Sequence, residues 1–139
     1  MKIALDVVQN ILQQFRRIFD APDLGGASSL EMSPEVGSGR IDLVVFPGQL
    51  ELYHYWSTPK PQLEFTTSNP EGSRWYGLQV NLADAEVVRR VGATEVSIQR
   101  LLPSGMLLYP PGASVSGVSQ PHQRPESVFI RFHRDFLAE

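Results

Sequence analysis

The sequence predicts a mainly β chain, a sandwich or barrel fronted by one amphipathic α-helix. Two observations carry this. After residue 40 the chain breaks into short runs with period-two alternation, bounded by Gly, Pro, Asn and Ser. Before residue 20 the apolar period is three and four instead. At 139 residues the chain suits one compact domain, and roughly two-thirds of its unfolded surface can be buried without disulfide or metal staples.

The helix is expected over residues 2–19, KIALDVVQNILQQFRRIF. Ile3, Val7, Val8, Ile11, Leu12, Phe15, Ile18 and Phe19 share one face, and Asp6, Gln9, Gln13, Gln14, Arg16 and Arg17 the other. Asp20 and Pro22 stop it. Such a stripe either packs on its own domain or pairs with a second copy. The expected organisation is a helix in 1–22, a Gly/Ser/Pro linker in 23–40 and a β-domain in 41–139.

The strands follow in order. RIDLVVF runs to Pro47-Gly48. QLELYHYW sets Leu50, Leu52, His54 and Trp56 against Glu51, Tyr53 and Tyr55. QLEFTT runs to Ser68-Asn69-Pro70-Glu71-Gly72. RWYGLQVNL sets Tyr76, Leu78, Val80 and Leu82 against Trp75, Gly77, Gln79 and Asn81. ATEVSIQRLL, GMLLY, SVSGVS and SVFIRFH complete the set. LADAEVVRRVGA reads as a short helix or another strand, and Val87, Val88 and Val91 tip it toward strand. Seven or eight short strands at this spacing form a sandwich or barrel.

Composition narrows the function classes. Twelve Lys and Arg against fifteen Asp and Glu leave a net charge of -3, without the basic footprint of a chain that grips nucleic acid by itself. The absence of cysteine excludes disulfides, thiolate metal sites and cysteine nucleophiles. No apolar run reaches the length of a membrane span, and the first residues lack a signal-peptide pattern, so a cytoplasmic protein with no membrane partner is expected.

The chemistry-bearing residues form no recognisable constellation. His54, His122 and His133 have no metal-ligand spacing, and a zinc site would need distant partners. His133 shares a strand face with Arg131, which reads as a solvated face. No G-x-S-x-G elbow is present, and GSGR at 37–40 lacks a phosphate-loop lysine. Glu51 and Glu64 lie on neighbouring strands, where such pairs are usually exposed cross-strand residues.

The stretch SRWYGLQVNLADAEVVRRVGATEVSIQRLLPSGMLLYPPGASVSGVS resembles the cupin-like sensor half of AraC-type transcriptional regulators. The matching pieces are LQVNL, residues 78–82, and the turn from Gly105 through Pro110-Pro111-Gly112. The likeness covers roughly residues 41–136, and its motifs are patterns of strands and turns. It implies a mainly β cupin-like jelly-roll, or double-stranded β-helix barrel, behind the N-terminal helix. Metal-binding members carry a histidine just after this turn; Val115 or a near neighbour stands there, and no H-x-H precedes it. No metal and no cofactor is therefore expected.

The resemblance further implies a small-molecule-sensing and dimerisation domain, not an enzyme. Its partners would be a small-molecule effector and a second copy, with DNA reached only through a C-terminal helix-turn-helix region. A stand-alone enzyme of metal-independent isomerase or epimerase type and a non-catalytic interaction module are the alternatives. With Leu50, Leu52, His54 and Trp56 facing inward, His54 and Trp56 would meet the ligand. The apolar face of RWYGLQVNL, expected inside, would add Tyr76, and Tyr109 would line the mouth. Arg74 and Arg100 would attract an anionic effector.

Overall fold

The computed structural model describes residues 1–19, 28–32, 35–47, 49–84, 87–98, 105–121 and 123–138. The elements run β1 (Lys2–Asp6), α1 (Ile11–Ile18), β2 (Ser29–Glu31), β3 (Gly37–Phe46), β4 (Leu50–Pro59) and β5 (Leu63–Ser68). They continue with β6 (Trp75–Asn81), β7 (Val87–Val91), β8 (Thr94–Ile98), β9 (Met106–Tyr109), β10 (Ser114–Ser119) and β11 (Glu126–His133), and a short 3-10 helix (Arg134–Ala138) follows. One sheet has the order β1-β5-β10-β7-β8, the other β2-β3-β4-β11-β6-β9. The mainly β jelly-roll barrel is as expected. Within 82–93, Val87–Val91 form a strand, β7, in a hairpin with β8.

The N-terminal segment departs from the expectation of one helix over 2–19. Residues 2–6 form a strand, parallel to β5. Local polar side chains explain the change. Asp6 accepts from the Val8 amide at 2.8 Å, a side-chain turn that breaks any helix there. Asn10 caps α1 by accepting from the Gln13 amide at 3.1 Å. Gln14 reaches back to Asp6, accepting from its amide and donating to its carbonyl, both at 2.7 Å. It thereby pairs the Asp6 amide at the end of β1, whose carbonyl also accepts from the Gln9 amide at 3.3 Å.

The apolar face of α1 closes one end of the barrel. Ile11, Leu12 and Phe15 are buried with Ile3, Ile41, Tyr53 and Leu63. Burial of each such side chain stabilises by about 1.5–3 kcal/mol. A polar cluster fixes this plug. Arg131, 5 % exposed, pairs with Glu51 at 2.8 Å and donates through Nε to the Val7 carbonyl at 2.6 Å and through Nη2 to that of Val8. Tyr53 donates to the same Glu51 oxygen and accepts from the Ile11 amide at 3.1 Å. The guanidinium also lies 3.6 Å from the Trp75 ring centre. The Arg131 face is therefore not the solvated one that the sequence suggests.

The turn after β9 is built as its residues require. Ala113 donates to Pro110 at 3.0 Å, with Pro111 and Gly112 between them and Gly112 at φ 88°. Proline followed by a left-handed glycine is the signature of a type II turn. Asn69, 1 % exposed, clamps it by donating to the Tyr109 and Trp75 carbonyls.

Candidate functional site

A cavity of about 100 Å³ lies between the two sheets beneath α1. Phe15 and Phe129 give it apolar walls. Tyr55, Gln79, Arg89, Tyr109 and Ser127 bring polar atoms to its lining. The inner faces of β4 and β6 are thus Tyr53/Tyr55 and Gln79/Asn81, the reverse of the expected orientation. Period two fixes which residues share a face and leaves open which face turns inward. Here the apolar faces point outward, and the inner polar groups are mutually satisfied: Tyr109 donates to Gln79 at 2.7 Å, Tyr55 bonds Ser57 at 2.7 Å, and Asn81 holds the Ile98 carbonyl and Ala83 amide.

Of the four residues singled out for ligand contact, Tyr109 lines the cavity; His54, Trp56 and Tyr76 lie on the outer face. His54 is paired through Nε2 with Glu126 at 2.7 Å. Trp56 is 39 % exposed, and Tyr76 stacks on Phe132 at 5.6 Å. Arg74 is exposed and away from the cavity. Arg100 and His122 lie outside the described residues. His133 packs edge-on against Trp75 at 5.2 Å. Val115, which follows the Pro110-Pro111-Gly112 turn, is buried beside Val7 and Tyr109. Among the described residues no group of three His, Asp or Glu is placed to hold a metal, and no helix is long and apolar enough to cross a membrane.

Arg89 is the feature the sequence reading missed. It sits on β7 and reaches into the cavity, where Tyr55 and Tyr109 feel its charge. Its one hydrogen bond among the described residues is to the Val88 carbonyl at 3.1 Å. Burial lowers its pKa, opposed by the two tyrosines. Burial in turn pushes the Tyr109 hydroxyl up to about 12 and raises that of Tyr55, with Arg89 pulling both down. Both tyrosines are therefore neutral at ordinary pH. The available signal was VVRR itself: on a strand of that parity, Arg89 shares the inner face with Val87 and Val91.

No family model matches the chain, and no curated protein matches it. Solved structures do. A predicted oxalate decarboxylase from Thermotoga maritima aligns at 10 % identity and TM-score 0.54, over 78 % of this chain and 94 % of that one. KdgF from Halomonas sp. aligns at 8 % and 0.52, over 78 % and 89 %. A Cupin 2 conserved barrel domain protein from Salinispora arenicola aligns at 12 % and 0.47, over 72 % and 80 %. These likenesses correct the expectation that the chain is not an enzyme. A barrel that also serves a protein described as a predicted decarboxylase gives no warrant for excluding catalysis. What the likenesses share with this chain is the fold, a cupin-type β-barrel.

Proposed function

We propose that the chain is a small-molecule-sensing and dimerising barrel of the kind found in AraC-type regulators. The observation that supports the sensing half is the cavity. A barrel of this size is either filled by side chains or holds one ligand. Here the interior keeps an open space with a few convergent polar groups in an apolar wall, the composition of a small-molecule site. A thermal-shift screen of small polar metabolites tests it. A ligand at about 100 times its Kd stabilises by about 2.7 kcal/mol, and a screen in which no compound moves Tm overturns the reading. The regulator half carries a cytoplasmic location and DNA contact through a joined helix-turn-helix region. The coding sequence past codon 139 tests it: an encoded helix-turn-helix pair supports it, and a stop codon there overturns it.

The dimerising half rests on the outer face of the six-stranded sheet. Val44, Leu52, Ile130, Leu78 and Leu108 stand side by side across five strands. Phe46, Leu50, Phe132 and Tyr76 form the next row, and none of these side chains joins either core cluster. Polar pairs, Arg40–Asp42 and His54–Glu126, gather at one end. Four rows at about 6.8 Å across five strands at about 4.8 Å make a face of about 650 Å² in projection. A standard interface buries about 800 Å² per partner, and homodimer interfaces are the more apolar class. The occupant we assign is a second copy of this chain, in face-to-face two-fold contact. Light scattering should give a dimer, and Leu108→Glu, at a half-exposed edge position, or Leu52→Glu should give a monomer. A monomeric wild-type chain, or dimers in both variants, overturns it.

A further inference from the structure

The wall of the cavity has an opening. Among the described residues β10 and β7 pair only at Val115–Val91 and Ser116–Arg90. Both strands run further, to Ser119 and back to Val87, without continuing the ladder. An open groove bordered by Val88, Arg90, Val118 and Arg124 lies over this unpaired stretch. Val87, Arg89, Gly117 and Ser119 line both the groove and the cavity, so the two spaces meet between them.

Arg89 lies across that slot. A Cβ added to Gly117 would stand 2.6 Å from its Nη1 and 2.7 Å from its Cδ, so the absence of a side chain at 117 is what lets the guanidinium cross. A guanidinium has five N–H donors. The one bond to Val88 leaves most of them without a protein acceptor among the described residues. No carboxylate of the described residues pairs with Arg89; Glu126, which also lines the cavity, is engaged by His54. A guanidinium part-shielded from water in this way, with few protein acceptors, favours an anion that meets it. A planar carboxylate matches the guanidinium fork. The neutral Tyr55 and Tyr109 offer no competing charge, and Gln79, which accepts from Tyr109, retains its amide hydrogens. The volume of about 100 Å³ is smaller than the roughly 150 Å³ that holds benzene, which limits an occupant to about two to four carbons.

We propose that the cavity takes a small organic carboxylate, which enters through the slot between β7 and β10 and pairs with Arg89. The proposal rests on the reading of the cavity as a ligand site. Calorimetric titration of the full chain with acetate, propionate and butyrate, against propionamide and sulfate, tests the pairing. The carboxylates should bind, propionamide at least about tenfold more weakly, and Arg89→Met and Arg89→Gln should each lose at least about tenfold with unchanged circular dichroism. Equal binding of propionate and propionamide, or full affinity in both variants, overturns the pairing and leaves the cavity a binding site. Sulfate binding as tight as that of propionate overturns the carboxylate class. If none of these probes binds, the inference is overturned, and the sensing reading falls only if the wider screen also shows no shift. Val118→Trp, on the exposed rim of the groove and outside the cavity, tests the route: the propionate association rate, read from NMR exchange, should fall by about tenfold or more, and an unchanged rate overturns entry through the slot.

Discussion

Arg131 and Arg89 reach into this barrel from opposite sheets, and they are treated oppositely. Arg131 is enclosed by a carboxylate, two backbone carbonyls and an indole ring. Arg89, on the opposite sheet, has one backbone carbonyl and two neutral phenols near it. Arg131 is buried and Arg89 part-buried, and only Arg131 is paired with a carboxylate among the described residues. A buried ion with its partners in place is a structural joint: removing one member strands the other. A half-buried ion lacking them is poised for something from outside. The contrast separates the end of the barrel that holds the fold together from the wall that is free to bind.

The largest test of this contrast is Arg131→Met. Glu51 would stay part-buried with only the Tyr53 hydroxyl as donor among the described residues, and Val7 and Val8 would lose theirs. The expected cost is about 3–5 kcal/mol, read by urea unfolding. A loss below about 1 kcal/mol would erase the distinction. Alkaline unfolding is the next. Tyr109 ionises near pH 10 when unfolded and at about 12 when folded. Its contribution is complete below pH 10 and is lost as pH rises toward 12, by at most about 2–3 kcal/mol. Tyr53 is shifted the same way, by burial first and by the Glu51 carboxylate beside it. Stability followed from pH 9 to 12 should fall in that window, and less steeply in Tyr109→Phe. The smallest effect is that of Arg89→Met on stability without ligand, within about 1 kcal/mol of wild type or slightly stabilising. A penalty as large as that at Arg131 would make Arg89 structural and break the comparison.

Most of the strand plan was legible in the sequence. The β10 run SVSGVS and the Pro110-Pro111-Gly112 turn are where alternation and turn chemistry put them. The helix start was not, because apolar spacing ran through Asp6 and Asn10, whose side chains bond the backbone locally and end one element and begin another. The inner faces were not legible for a different reason. Leu50/Leu52 and Tyr53/Tyr55 are both apolar enough to bury, and a strand between a core and an outer apolar face shows no alternation that distinguishes them. The candidate site inherited that ambiguity: Tyr109 stayed inside because the turn fixes it, while His54, Trp56 and Tyr76 followed the reversed faces.

The bonds from Arg131 to Val7 and Val8 have a consequence in time. They join residues 124 and 123 positions apart. During synthesis the first strand and helix emerge long before the strand that holds them. β1 finds its parallel partner, β5, once residue 68 is made, and by then Tyr53 can meet the Ile11 amide, but the arginine that ties Val7 and Val8 to the barrel comes only at residue 131. Contacts of such separation form late because a long loop must close first. Until residue 131 is made, the nascent chain therefore carries an apolar helix without its arginine fastening, the interval in which a holdase chaperone has most to grip.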